Sequence, residues 1–350
     1  MQRRFRKFRG LKRGYWSFLL IAAAYLVSFF LPLLVNDKPL VIHYQGSYYF
    51  PEFRYYSGTT FGQDSLGEPH YRELAAQFRA ENRGNWALMP PYPYSPVESL
   101  LDLPGTPPHA PSSEHWFGTD DRGRDIFARL AYGFNVSMSF ALIVLAISYV
   151  IGIFVGALIG YFGGKLDMLG LRAIEIWSSL PFLYTIIIVS SIVVPIYLPG
   201  RYLLLQPSFW LLIVILTLFD WMGITYYIRG EYYREKAKDY VGAAIAMGAS
   251  DWKIMFKHIL PNSLTPVISF APFFLVGNIG ALVSLDFLGF GLPAPTPSWG
   301  ELIGQGLENL TKWWLVLFPL GAMFVTLNLI VFIGEAIREA FDPKSFSRLR

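Results

Sequence analysis

Asp120, Asp121 and Asp125 crowd into "GTDDRGRD", the kind of oxygen-rich cluster that invites a hard cation. A calcium loop, however, needs alternating oxygen ligands and a terminal Glu. This run lacks both and carries Arg122, Arg124 and Arg129 instead, so no metal site is expected. Its Gly and Asp residues suit tight turns. Three other acids, Glu175, Asp220 and Asp286, lie in apolar surroundings near the ends of hydrophobic segments. Ionisable groups in such segments tend to line paths or bind ligands. Asp286, in "SLDFLGFG", sits beside glycines that permit close packing. An intramembrane aspartyl protease needs two such acids acting together. Pore lining or helix capping is therefore expected here, not catalysis.

Other catalytic signatures are missing. The chain has no Cys, which excludes thiolate catalysis, disulfides and thiolate-bound metals. Gly164-Lys165 lacks the glycine spacing and the Ser/Thr of a phosphate-binding loop. HExxH and GxSxG patterns are absent. No catalytic residue and no metal ligand is expected.

The elements that carry these residues are largely membrane spans. Of 350 residues, 53% are hydrophobic and 15% charged, against about 25% charged in average soluble domains. Six segments are long and apolar enough to cross a bilayer: Tyr15–Val35, Val136–Phe162, Ala173–Val194, Ser208–Ile228, Thr265–Phe287 and Trp313–Ile337. The first reads as a retained anchor, since no clear cleavage site follows it. Pro266 and Pro272 interrupt the fifth segment, and Pro319 lies in the sixth. Placing 1–14, 163–172, 229–264 and 338–350 on the cytoplasmic side gathers 19 of the 29 basic residues there. Lys and Arg favour that side, so both termini are expected inside.

The chain then divides into a basic start with the first span (1–35), an outer insertion with a segment leading to the next span (36–132), a five-span core (133–337) and a tail (338–350). In the insertion, "HYQGSYYFPEFRYY" suggests short strands, and "HYRELAAQFRAENRG" reads as a helix ended by Gly84. Met89–Pro111 contains eight prolines and suits neither helix nor central strand. The insertion is either a docking surface for an external partner or a spacer. "RDIFARLAYGF" is expected to be a short amphipathic helix at the membrane surface or an extension of the second span.

The loop between the fourth and fifth spans, 229–264, is longer than a plain connection needs. In "DYVGAAIAMGASDWKIMFKHILPN", Ala243, Ala244 and Met247 form a small apolar face. Gly248 is placed to end that helix in a left-handed conformation. Ser250 is placed to cap a second helix, and Pro261 to break the path before the next span. Such a helix–Gly–helix could press into a groove on another protein.

This loop resembles the coupling loop of permease subunits of ATP-binding-cassette (ABC) importers. Gly242-Ala243-Ala244, Gly248 and Leu260-Pro261 fall in register with that family's pattern, while Gly242 stands in place of Glu and His258 in place of Ile. "HWFGTDDRGRDIFARLAYG", "IEIWSSLPFLYTIII" and "LDFLGFGLPAPTPSWGELI" are similar to motifs of the oligopeptide, dipeptide and nickel branch, in the same order. The whole chain looks like the subgroup with a long periplasmic insertion, linked to uptake of peptides and microcin C.

The resemblance implies an all-α inner-membrane protein with the six-helix type I importer fold. It implies a homologous second permease, two cytoplasmic ATPases holding ATP and Mg, and a periplasmic peptide-binding protein. The chain itself would hold no cofactor and bind no nucleic acid. Gly242, Ala243, Ala244, Met247, Gly248, Leu260 and Pro261 would couple to the ATPases. Asp286, Pro181 and Pro272 are candidates for the translocation path. Two alternatives stay open: a permease of the same family for nickel, an opine or a glycosyl-peptide, and a membrane receptor or enzyme working through its external loop.

Overall fold

Among the described residues, four helices are long and apolar enough to cross a bilayer, and one bent pair makes a fifth. The computed structural model describes residues 2–64, 67–191, 194–198, 201–205 and 208–341. The chain opens with α1 (Gln2–Gly10), α2 (Lys12–Ser28) and the short α3 (Leu31–Leu34). The expected span Tyr15–Val35 is thus not one helix. It breaks at Phe29–Phe30, and Pro32 sits in the first turn of α3, where its missing N–H costs nothing. The 17 residues of α2 reach about 26 Å, slightly less than a hydrocarbon core of about 30 Å.

The insertion holds a three-stranded sheet and a helix. β1 (Val41–Tyr44) pairs antiparallel with β2 (Ser47–Tyr49). Gln45 and Gly46 turn the hairpin at φ 49° and 79°, which suits a tight primed turn. After α4 (Tyr71–Glu81), β3 (Trp86–Leu88) adds to the other edge of β1. Ile42, Phe61, Tyr71, Leu74 and Phe78 form the core between α4 and the sheet. Asn82, at φ 48°, closes α4, two residues before the expected Gly84. Asn tolerates the left-handed region because its short amide finds local partners.

The remaining elements are α5 (Ile126–Phe162), α6 (Gly164–Ser178), α7 (Phe182–Ser191), the hairpin β4 (Val194–Leu198) and β5 (Arg201–Leu205), α8 (Phe209–Lys236), α9 (Asp239–Ala246), α10 (Asp251–Lys253), α11 (Leu260–Phe287), α12 (Trp299–Glu308) and α13 (Trp313–Phe341). The segment "RDIFARLAYGF" is therefore an extension of the second span and not a separate surface helix. α6 and α7 meet at 68° around Ser179–Pro181, so the expected third span is bent. α11 runs through Pro272 as one helix. Residues 342–350 of the expected tail lie outside the described residues.

Two compact units share these elements. One comprises 1–22, 137–293 and 323–350; the other comprises 23–136 and 294–322. The first is organised by α5 and α8. Gly152, Gly156 and Gly160 recur every four residues, so they lie on one face of α5. A Cβ there would stand 1.8 Å from Ile224 Cγ2, 2.7 Å from the Thr225 carbonyl and 2.8 Å from Tyr232 Cβ respectively. Only glycine lets the two helices approach this closely. Between membrane helices there is little hydrophobic drive, so close van der Waals contact holds the pair. Thr225 adds a hydroxyl donated to the Gly152 carbonyl at 3.3 Å.

Candidate functional site

The loop from α8 to α11 is built onto the end of the α5–α8 pair. Tyr232, near the end of α8, is fully buried among Ile228, Val241, Ala244, Ile254 and Met255. α9 ends in a Schellman arrangement. Gly248, at φ 75°, donates its N–H to Ile245, and Ala249 donates to Ala244. This matches the expected role of Gly248, whose missing side chain removes the left-handed penalty.

Burial divides the α9 residues differently from the sequence reading. Ala244 is 2% exposed and faces the chain's own core, whereas Met247 is 79% exposed and Ile245 is 54% exposed. Gly242 and Ala243 are also exposed. The outward face is therefore Gly242, Ala243, Ile245 and Met247, without Ala244. The α-helical spacing explains this. Ala244 lies three residues after Val241, so the two share the inner stripe, and both are buried.

Two further expectations change here. Ser250 occupies the N-cap of α10 but makes no side-chain cap bond. Pro261 does not break the path. A π-helical turn, Ile254–Ile259, carries α10 directly into α11, and Pro261 falls in the first turn of α11. A π turn widens the helix by one residue, which leaves room for the proline ring and needs no N–H from it. The Met255 carbonyl within that turn accepts the Tyr232 hydroxyl at 3.0 Å. Leu260 and Pro261 thus shape the junction with α11; Leu260 packs against the inner cluster and Pro261 is exposed.

Polar struts tie the loop to its neighbours. Asp251 accepts the Tyr161 hydroxyl at 2.6 Å, and Lys236 donates to the Tyr161 carbonyl at 2.5 Å. Arg229 holds Asp167 with two hydrogen bonds at 2.5 and 2.7 Å, and Tyr233 donates to the same carboxylate. Lys238 and Tyr240 both donate to Glu235. Sequence reading missed the partners of Asp251, Tyr161 and Asp167 because they come from helices 62 to 90 residues apart in the chain.

Of the path candidates, Asp286 is fixed in a turn. Its Oδ1 accepts the Leu292 N–H at 2.6 Å, and a Cβ on Gly291 would collide with it at 1.8 Å. The carboxylate thus ties down the exit from α11. Pro181 is exposed at the bend between α6 and α7. Pro272 touches the position of Gly334 on α13, where a Cβ would lie 3.2 Å away. Glu175 pairs at the surface with Arg172.

A cleft of about 600 Å³ opens beside the bend, walled by Leu180, Phe182, Phe219, Phe270 and Phe274, with Asp220 and Asn278 among its polar residues. Pro181 falls between two of its wall residues, but Asp286 does not line it. Asp220 lies 11 residues into α8, about three turns from its start. Because α8 continues to Lys236, the acid is well inside the helix, not a turn or two from its end as the shorter expected span implied.

In the other unit, Asp120 and Asp125 of "GTDDRGRD" are taken up by side chains and backbone. Asp120 Oδ1 accepts the N–H groups of Arg122 and Arg124, and its Oδ2 accepts Arg124 Nε at 2.7 Å. Arg124 and Arg129 both reach Glu301 of α12, at 2.9 and 2.5 Å. Asp125 accepts the Tyr92 hydroxyl at 2.7 Å and lies 2.9 Å from His115 Nδ1. Burial opposes ionisation of Glu301, yet the Arg129 and Arg124 guanidiniums outweigh it and hold the carboxyl below its ordinary range. Burial also opposes the Arg124 charge, but Asp120 and Glu301 outweigh it and raise its pKa. Arg129 is fully buried although it begins a long apolar helix. Its partner Glu301, 172 positions away, was not legible in sequence.

The comparisons agree with this architecture. Residues 148–346 match the model of the "Binding-protein-dependent transport system inner membrane component" family. The chain is 41% identical over 342 residues to an inner membrane ABC transporter permease protein of Escherichia coli, with 98% of this chain and 96% of that protein covered. It is 37% identical over 371 residues to a peptidoglycan transport system permease protein of Agrobacterium fabrum, covering 99% and 94%. A dipeptide transport system permease protein of Bacillus subtilis is 34% identical over 256 residues, covering 72% and 75%. Among solved structures, an inward-facing MetNI methionine ABC transporter chain aligns with a TM-score of 0.50 at 21% identity, covering 62% of this chain and 98% of that one. This likeness shows a shared fold. A family match over more than half the chain, with relatives that include the insertion, makes this protein a member of the binding-protein-dependent transport system inner membrane component family.

Proposed function

We propose that this chain is a permease subunit of an ATP-driven importer that brings peptides across the bacterial inner membrane. The observation that carries this reading is the outward face of α9. Met247 and Ile245 are left exposed on a short helix that is otherwise locked at both ends. An exposed apolar face on a rigid support is what a docking element needs. Gly242, Ala243, Ile245 and Met247 enter a cleft on a nucleotide-binding ATPase. Ala244, Gly248, Leu260 and Pro261 hold the helix in shape behind them.

ATP and Mg bind the two ATPase partners, and this chain performs no hydrolysis. A second, homologous permease completes the path, with Pro181 and Pro272 at bends or contacts of its walls. Both termini and the α9 loop face the cytoplasm, and the insertion faces outward toward a solute-binding protein. Peptides are favoured because relatives aligned with this chain are named as dipeptide and oligopeptide permeases. Peptide-bearing cell-wall fragments are a second reading, favoured by the Agrobacterium relative that aligns through the insertion as well.

Copurification tests the coupling role. The full chain, expressed with its ATPase and permease partners, is expected to bring down the ATPases. Met247→Glu is expected to release them while the chain stays in the membrane. Retention of the ATPases by that variant would remove α9 as the docking element.

A further inference from the structure

Asp220 poses a problem that the coupling role does not solve. It sits about three turns inside a membrane-spanning helix, where a charge is expensive and is expected to have a partner. Among the described residues no Lys, Arg or His pairs with it. The Asn278 amide donates to Oδ2 at 3.4 Å, longer than the usual limit of about 3.2 Å, and the Ser148 hydroxyl also faces the carboxylate. Neither partner carries a charge. The acid lines an open cleft of about 600 Å³ whose lining includes six aromatic rings. Tyr227 and Phe270 stack there with ring centroids 4.5 Å apart, and Phe219 and Phe274 flank them in the lining.

A carboxylate among aromatic faces suits one kind of guest. Ring faces attract a cation, the carboxylate balances its charge, and an ammonium hydrogen-bonds without needing the flat fork of a guanidinium. We propose that Asp220 is a solute-recognition residue that receives a protonated primary amine of the passing solute. This deepens the peptide reading and rests on it, because an unblocked peptide that does not begin with proline carries such a group at its N-terminus. The amine comes from the peptide's α-ammonium or from a lysine side chain, two sources of one chemistry.

The site can be probed without transport. The full chain in lipid nanodiscs is treated with dicyclohexylcarbodiimide, which modifies carboxyl groups in apolar settings, and the adduct on Asp220 is quantified by mass spectrometry. Tri-alanine is expected to reduce the adduct several-fold, and N-acetyl-tri-alanine to leave it unchanged. Protection by N-acetyl-Ala-Lys-Ala would show that a side-chain ammonium also serves; failure of that peptide would assign the site to the α-ammonium. No adduct at Asp220, or an adduct indifferent to all three peptides, would overturn the proposal.

A second measurement uses the reconstituted importer in proteoliposomes. Asp220→Asn keeps the shape and the Asn278 contact but removes the charge. It is expected to slow tri-alanine uptake by about tenfold, and Asp220→Glu to recover part of it. Normal uptake by Asp220→Asn would sink the amine site and leave the peptide reading standing. Failure of the unmodified importer to take up any peptide would sink the peptide reading itself.

Discussion

The arginine–carboxylate network around Glu301 and the helix α9 are both polar-flanked turns next to long apolar helices, yet they treat their surfaces in opposite ways. The network turns inward. Asp120, Asp125, Arg124 and Arg129 are buried, and their charges are answered within the same unit. α9 turns outward and leaves Met247 at 79% exposure. The difference separates a brace from a docking element. A closed ion network fixes one geometry, while an apolar side chain left in water gains free energy only when something covers it.

The largest expected effect breaks the inner side of α9. Ala244→Arg would bury an unpaired cation among Tyr232, Val241 and Met255, costing about 3–5 kcal/mol or more. The loop should lose its fold, seen as rapid proteolysis between α8 and α11 and reduced accumulation in the membrane. Next comes the brace. Glu301→Gln leaves Arg124 and Arg129 short of a counter-charge and is expected to cost about 3 kcal/mol, read as a lower unfolding temperature of the purified chain.

The outer side of α9 should respond in the opposite sense. Met247→Glu is expected to change stability by no more than about 0.5 kcal/mol while lowering solute-stimulated ATPase activity of the full complex by about tenfold or more. If both variants at 244 and 247 behaved alike, the division between inner and outer faces would fail.

Acid sharpens the same contrast. The Glu301 carboxyl is held below its ordinary value of 4.5. A carboxyl depressed by folding contributes its full stability above the unfolded value and loses it as pH falls through the folded one. Thermal unfolding of the wild type should therefore weaken below about pH 4.5, and Glu301→Gln should show a smaller acid-side loss. The smallest effect is expected at Gly242. A Cβ there meets nothing within 4 Å, so Gly242→Glu should gain a few tenths to about 1 kcal/mol from helix propensity without disturbing the loop's packing.

Much of this was readable in the residues, and the failures have physical causes. Gly248 was legible because a left-handed helix end favours glycine whatever surrounds it. Ala244 was misplaced because Ala suits a tight interface and a tight core equally well. Pro261 misled because a proline breaks an α-helix, and nothing in the local residues marks the π turn that accommodates it. The first span was read as one helix because hydropathy reports apolarity and not the break at Phe29–Phe30.

The sequence by itself determined the class of the protein, its apolar segments, the basic bias of its loops and the ordered motifs of its family. These follow from composition and local spacing, which act over a few turns of chain. Only the tertiary structure decided which face of α9 is free, that Arg129 meets Glu301, and that Asp220 lies in a cleft with aromatic walls. Each depends on residues distant in sequence being brought within a few ångströms, and hydrogen bonds and ion pairs act only at that range.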